Sequence, residues 1–178
     1  MNRIVVVGST GSGKTTLATG LAEILSLRHV ELDALHWDPN WTPAPTDLFR
    51  ERVERALDRD RWVVDGNYRK VRDLVWGRAD TIVWLDYSLA LIYWRLVRRT
   101  IARVHSGKEL WNGNRESFRE AFLSRESIFL WALKTYRRRK REYSELFQRS
   151  EYSRLAIFRH RSPPETERWL GNISRAIR

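Results

Sequence analysis

The run Ile4-Val5-Val6-Val7-Gly8-Ser9-Thr10-Gly11-Ser12-Gly13-Lys14-Thr15-Thr16-Leu17 limits the fold more than any other stretch. Its four apolar β-branched residues read as a strand buried on both faces, as in a parallel sheet. A glycine-rich turn follows, and then a helical pattern begins. Gly8, Gly13, Lys14 and Thr15 fit G-x-x-x-x-G-K-[ST], the phosphate-binding P-loop. The glycines let backbone N–H groups converge on phosphate oxygens with no Cβ in the way. Lys14 can reach β- and γ-phosphates, the Thr15 hydroxyl can ligate Mg²⁺, and the helix that starts near Lys14 points its positive end at the anion. Gly8, Ser9, Thr10, Gly11, Ser12, Gly13, Lys14, Thr15 and Thr16 are therefore the candidate nucleotide-phosphate site, with ATP and Mg²⁺ as the expected ligands.

The 178 residues suit a single domain, 1–178, or a domain with one large insertion. The chain has no cysteine, which excludes disulfides and thiolate metal sites. The first strand begins within three residues, leaving no room for a signal peptide. The most apolar later stretch, Tyr87 to Trp94, is too short to cross a bilayer. The expectation is a soluble, cytoplasmic protein with no membrane partner. The net charge is +11, and all but five of the 33 basic residues are arginine. Arginine suits bidentate phosphate contacts, so the charge fits a polyanionic partner, nucleic acid included, or equally a set of solvated helix faces.

Apolar spacing after the P-loop defines a helix through Leu17, Leu21, Ile24 and Leu25. A second strand is expected over 28–33, ending on Asp33. A Trp- and Pro-rich loop covers 34–45, and Thr46 or Asp47 can cap a helix running to about Asp60. A third strand over 61–66 ends on Asp65-Gly66, a short helix spans 68–76, and a fourth strand covers 80–86. Ser88 is an N-cap for a helix whose later turns carry Arg95, Arg98, Arg99 and Arg103. The polar stretch 105–114 breaks that pattern, and helical sequence resumes over about 115–149. A fifth strand covers 155–159. Ser162-Pro163-Pro164-Glu165 then opens a last helix with a capping box and proline at its first position. Alternating strands and helices indicate an α/β, three-layer architecture: a five-stranded parallel sheet flanked by helices, with a helical lid at about 104–150 and an acceptor segment at about 34–61.

Ligands of such sheets gather at strand carboxyl ends, where Asp33, Asp65 and Asp86 are expected beside the P-loop. Asp65 is placed to support Mg²⁺ through water; the competing reading is an acid that starts an Asp-Gly turn. Asp33 can accept a proton from an acceptor hydroxyl or hold it; the competing reading is a cap. Trp37 and Trp41 can stack on an acceptor or pack internally. Arg95, Arg99 and Arg103 are four apart on one helical face, and Arg99 and Arg103 lie nearest the lid, so these two are candidates to neutralise transferring charge. Asp86 reads as structural, a cap or an arginine partner. The run Arg137-Arg138-Arg139-Lys140-Arg141 reads as a solvated face, with nucleic-acid contact or closure over ATP as the alternatives.

Gly8 to Thr16, with Asp65-Gly66-Asn67-Tyr68-Arg69, resembles the adenylate-kinase-type nucleoside monophosphate kinases, whose second motif is D-G-x-x-R. The resemblance extends to small bacterial adenylate-kinase-like proteins known as DNA topology modulation proteins. It runs through Leu32-Asp33-Ala34-Leu35-His36-Trp37, Leu110 to Glu116 and Phe158 to Pro163, which covers nearly the whole chain. It implies a P-loop kinase fold, with Asp65 supporting Mg²⁺, Gly66 and Arg69 at the acceptor, and the loop at Arg159 bordering adenine. Glu31-Leu32-Asp33 departs from adenylate kinases and is more like the D-x-D of shikimate-type kinases, whose acceptors carry hydroxyls. The expected activity is ATP- and Mg²⁺-dependent phosphoryl transfer to a small-molecule acceptor, either a nucleoside monophosphate or a hydroxyl compound. The alternatives are a nucleotide-dependent nucleic-acid protein, which would modulate DNA structure or act on a 5′-hydroxyl end, and a non-catalytic nucleotide switch. Oligomeric state is not legible.

Overall fold

A computed structural model of the chain describes residues 1–107, 109–115 and 128–177, with side chains from 132 onward in the last segment. The elements in order are β1 (Arg3–Gly8), α1 (Lys14–Leu25), β2 (Arg28–Glu31), α2 (Leu32–His36), β3 (Trp37–Asp38), β4 (Thr42–Pro43) and α3 (Thr46–Ala56). Next come β5 (Trp62–Asp65), α4 (Arg72–Arg78), β6 (Thr81–Leu85), α5 (Leu89–Ser106), α6 (Ile128–Leu146), β7 (Ala156–His160) and α7 (Pro163–Ile177). Among the described residues the main sheet has five parallel strands, as the alternating pattern predicts; their order is β2-β5-β1-β6-β7. No helix among them is long and apolar enough to cross a membrane.

Strand periodicity sorts the core into two layers. Val5, Val7, Val64, Ile82 and Trp84 face one side, where they pack with Phe49 and Val53 of α3, Trp76 of α4 and Tyr143 of α6. Ile4, Val6, Val63, Val83 and Leu85 face the other, against Leu17 and Leu21 of α1, Ile92 of α5 and Ile173 of α7. Both faces of the sheet are covered, which is why its strands are unbroken apolar runs rather than alternating ones.

Several boundaries differ from the sequence expectation. β2 stops at Glu31, and Asp33 lies in the one-turn helix α2 instead of ending the strand. The partner is distant in sequence: the Asp33 carboxylate accepts a hydrogen bond from Tyr68 OH, 35 residues on, at 2.5 Å, which holds it off the sheet. The Trp- and Pro-rich loop is itself structured. β3 and β4 pair around a turn at Pro39–Trp41 in which Asn40 and Trp41 have positive φ. α3 ends at Ala56, short of Asp60, and neither Thr46 nor Asp47 caps it, since Pro45 occupies that position. Ser88 does cap α5, its Oγ accepting from Leu91 N at 3.4 Å. At α7 the Glu165 carboxylate accepts from Arg161 N at 2.7 Å, one residue before the expected partner Ser162. The expected helical sequence over 116–127 lies outside the described residues.

Gly66 joins β5 to the Asn67-Tyr68 turn at φ +138, and a Cβ there would come within 2.7 Å of Leu32 Cβ. A side chain would be strained in conformation and would push α2 off the sheet. Gly66→Ala is expected to cost about 2 kcal/mol or more, lowering the thermal midpoint by roughly 5 °C. A calorimetric melt checks it, and an unchanged midpoint would contradict the packing described.

Candidate active site

The P-loop links β1 to α1 and is braced from three sides. A Cβ on Gly8, at φ +151, would lie 2.8 Å from both Leu85 O and Ser12 Oγ, so the loop approaches β6 too closely for any side chain. Asn67 holds the same residue from the β5 side: Gly8 N donates to Asn67 Oδ1 at 3.3 Å, and Asn67 Nδ2 donates to Gly8 O. Tyr143 OH of α6 donates to Asn67 Oδ1 at 2.8 Å and so fixes the amide that fixes the loop. From α5, an Arg95 guanidinium N–H donates to Ser12 O at 3.0 Å while the group sits 5.3 Å over the Tyr87 ring.

Lys14 donates to Ser9 O at 3.1 Å. Burial, followed by the charge of Arg139, holds its ammonium down to about 8; Asp65 and Asp33 pull it up, and Arg99 pushes it down further. These five charged groups therefore share one electrostatic neighbourhood. Three cations crowd together there, an arrangement that favours a bound polyanion. A nucleotide phosphate would supply that anion and restore the lysine's proton. Nucleotide binding at pH 8.5 is thus expected to take up roughly half a proton or more, because the free lysine is mostly neutral there and the bound one charged. Titration calorimetry in buffers of differing ionisation enthalpy measures this uptake, which should vanish in Lys14→Met.

Asp65 is the last residue of β5 and pairs in register with Val6, two residues before the P-loop. It is buried, its Oδ2 makes no hydrogen bond among the described residues, and that oxygen lies 3.7 Å from His29 Nε2. A buried carboxylate oxygen without a protein donor suits a water ligand of Mg²⁺. No group of three or more His, Asp or Glu side chains that could cage a metal occurs among the described residues. The donor set fits a cation held chiefly by nucleotide phosphates, the exposed Thr15 hydroxyl and water.

Asp33 faces an aromatic wall. Tyr68 donates to it, and burial, followed by the charge of Asp33, pushes the Tyr68 phenol well above its ordinary value, keeping it a donor. His36 packs on Tyr68 and Phe49, with ring centroids 4.5 and 4.9 Å apart. Burial lowers the His36 pKa, favouring the neutral ring. Trp37 meets His36 at 4.8 Å and Trp41 at 5.7 Å, both edge-on. The residues after α5 close over this segment. Trp111 Nε1 donates to Glu31 Oε2 at 3.0 Å, Asn114 Nδ2 to Asp38 O at 3.0 Å, and Trp41 N to Asn114 Oδ1 at 2.7 Å.

Other sequence candidates stand elsewhere. Arg69 is bound by Glu142 of α6, at 3.0 and 2.6 Å, and its side chain is 64% exposed. Arg159 lies 4.3 Å over the Trp84 ring and donates twice to the buried Asp86, at 3.0 and 2.6 Å; Lys140 is 3.3 Å from the same carboxylate. Asp86 is thus an arginine partner, as its sequence context suggests. Arg103 is half-buried one turn beyond Arg99 on α5. Gly66 serves the turn itself. Arg139, Asn67, Tyr68 and Tyr143 were not singled out as site residues by the sequence reasoning. The available signal was the spacing of Tyr136, Arg139, Lys140 and Tyr143: two aromatics on one helical face flank two cations of a run that otherwise reads as solvated.

No protein-family model matches the chain. A shikimate kinase of Persephonella marina is 28% identical over 153 residues, 74% of this chain and 86% of that one. A shikimate kinase from Acinetobacter baumannii, solved with shikimate, superposes with a TM-score of 0.56 at 18% identity, covering 99% of this chain and 93% of that one. The fold is that of the small P-loop kinases. A gluconokinase from Sinorhizobium meliloti 1021 gives a TM-score of 0.52 at 20% identity, over 99% and 95% of the two chains. These relatives are named for acceptors that carry hydroxyl groups; the likeness to DNA topology modulation proteins has no counterpart among them.

Proposed function

We propose that the chain transfers the γ-phosphoryl group of ATP to a hydroxyl group of a small molecule. The observation that carries this reading is the convergence of Asp33 with Lys14, Arg99 and Arg139 at the P-loop, with Tyr68 orienting the carboxylate. The Glu31-Leu32-Asp33 sequence and the hydroxyl acceptors named for the similar kinases support it.

In this reading the acceptor hydroxyl lies against the free face of Asp33, which takes its proton as the oxygen attacks the γ-phosphorus. The bond to the β-phosphate oxygen breaks and ADP leaves. The P-loop N–H groups and Lys14 hold the phosphates, and Arg99 and Arg139 neutralise charge on the transferring group. Thr15, and Asp65 through water, would hold Mg²⁺, which supplies charge neutralisation across the β- and γ-phosphates. Trp111, Asn112 and Asn114 exclude water by covering the acceptor segment.

The test is label transfer from [γ-³²P]ATP to a panel of cyclic hydroxy acids, sugar acids, polyols, nucleoside monophosphates and 5′-hydroxyl oligonucleotides. Transfer to a hydroxy acid or sugar acid is expected. Transfer confined to nucleoside monophosphates or oligonucleotides would overturn the proposal.

A further inference from the structure

The arginine-rich run of α6 has two faces with different neighbours. Arg139 and Tyr143 point to the P-loop side, toward Lys14 and Asn67. Arg138 and Arg141 point the other way and, with Arg149 beyond the helix end and with Arg69 and Arg72, line an open hollow of about 600 Å³. Arg137 completes the rim, and among the described residues Glu142 and Glu145 are its only carboxylates, so six cations meet two anions. The volume is that of a small-molecule site.

The charge here is organised rather than merely dense. Glu142 accepts from Arg69 at 3.0 and 2.6 Å and from Arg72 at 2.6 Å, so one carboxylate fixes two guanidinium groups side by side. Arg72 is further held 5.1 Å over the Trp76 ring. Among the described residues Arg149 makes one ion pair, a long contact of 3.9 Å to Glu151. Among the described residues, Arg137, Arg138 and Arg141 form no ion pair. Fixed forks on one wall and uncompensated forks on the other suit an anion with several phosphates, each taken bidentately. Among the described residues no aromatic ring lines the hollow, so its recognition rests on charge rather than on aromatic stacking.

We infer that this hollow is a second anion site, separate from the P-loop, for a compact oligophosphate: inorganic tripolyphosphate or the oligophosphate tail of a metabolite. The inference does not rest on the kinase reading.

The test is calorimetric titration of sodium tripolyphosphate into the Lys14→Ala chain, which weakens the P-loop site, without Mg²⁺ and at low salt. One saturable site is expected. Adding Arg138→Ser and Arg141→Ser should weaken it at least tenfold, with an unchanged circular-dichroism melt and, in the chain with native Lys14, unchanged ATP affinity. Arg149→Ser alone should weaken it severalfold, and adenosine should not compete. No saturable site, or one indifferent to all three arginines, would overturn the inference. So would a patch that binds duplex DNA but not tripolyphosphate, since it would then be a backbone-reading surface.

Discussion

Lys14→Ala is expected to lower kcat/KM for phosphoryl transfer by about 10³-fold or more, some 4 kcal/mol of transition-state stabilisation. The size follows from where the ammonium sits. It is half-buried at the mouth of the P-loop, held by Ser9 O, and shares its surroundings with Arg139, Arg99, Asp65 and Asp33. A partly desolvated charge at the loop acts on phosphate oxygens with less screening than one in open water. Thermal stability should hold or rise, because the folded state holds this lysine near 8 against 10.5 in the open chain. A lysine depressed on folding works against the fold most fully below pH 8. That burden lifts as pH rises from about 8 toward 10.5, and its removal costs the fold nothing. Steady-state kinetics and a melt on the same sample check both parts. Activity within tenfold of the parent chain would place the donor phosphates elsewhere.

Asp33→Asn should act on a different quantity. The substitution keeps the side chain's shape but removes the negative charge and the capacity to take a proton. Acceptor-dependent kcat is expected to fall by about 10² to 10⁴-fold, while ATP affinity changes by less than about threefold. The companion variant Tyr68→Phe removes the 2.5 Å hydrogen bond that aims the carboxylate, and should reproduce a smaller part of the loss. If Asp33 were only a cap of α2, both variants would lower the melting midpoint and leave kcat alone.

The five strands and the two-layer core follow from features written locally in the chain, whereas the strand order does not. Ile4-Val5-Val6-Val7 and Trp62-Val63-Val64 are apolar on both faces because helices cover both. The P-loop is legible for the same reason, since its glycines answer to backbone geometry within a few residues. Asp33 was placed within one element of its position, and its shift from strand to helix came from Tyr68, a partner 35 residues away. Long-range partners also account for the rest. Nothing near Arg69 in sequence announces that Glu142, 73 residues later, receives its guanidinium. Arg139 is lost in sequence among four other cations, because only tertiary packing decides which side of α6 meets the P-loop. The bracing of Gly8 through Asn67 and Tyr143 joins three elements and has no local signature.

The most direct measurement is ATP turnover with and without the best hydroxyl acceptor, in the parent chain and in Asp33→Asn. The account predicts that the acceptor raises turnover at least tenfold in the parent chain, and that Asp33→Asn loses this stimulation while keeping the slow acceptor-independent hydrolysis. Equal stimulation in both chains would contradict the assignment of Asp33 as the group that receives the acceptor's proton.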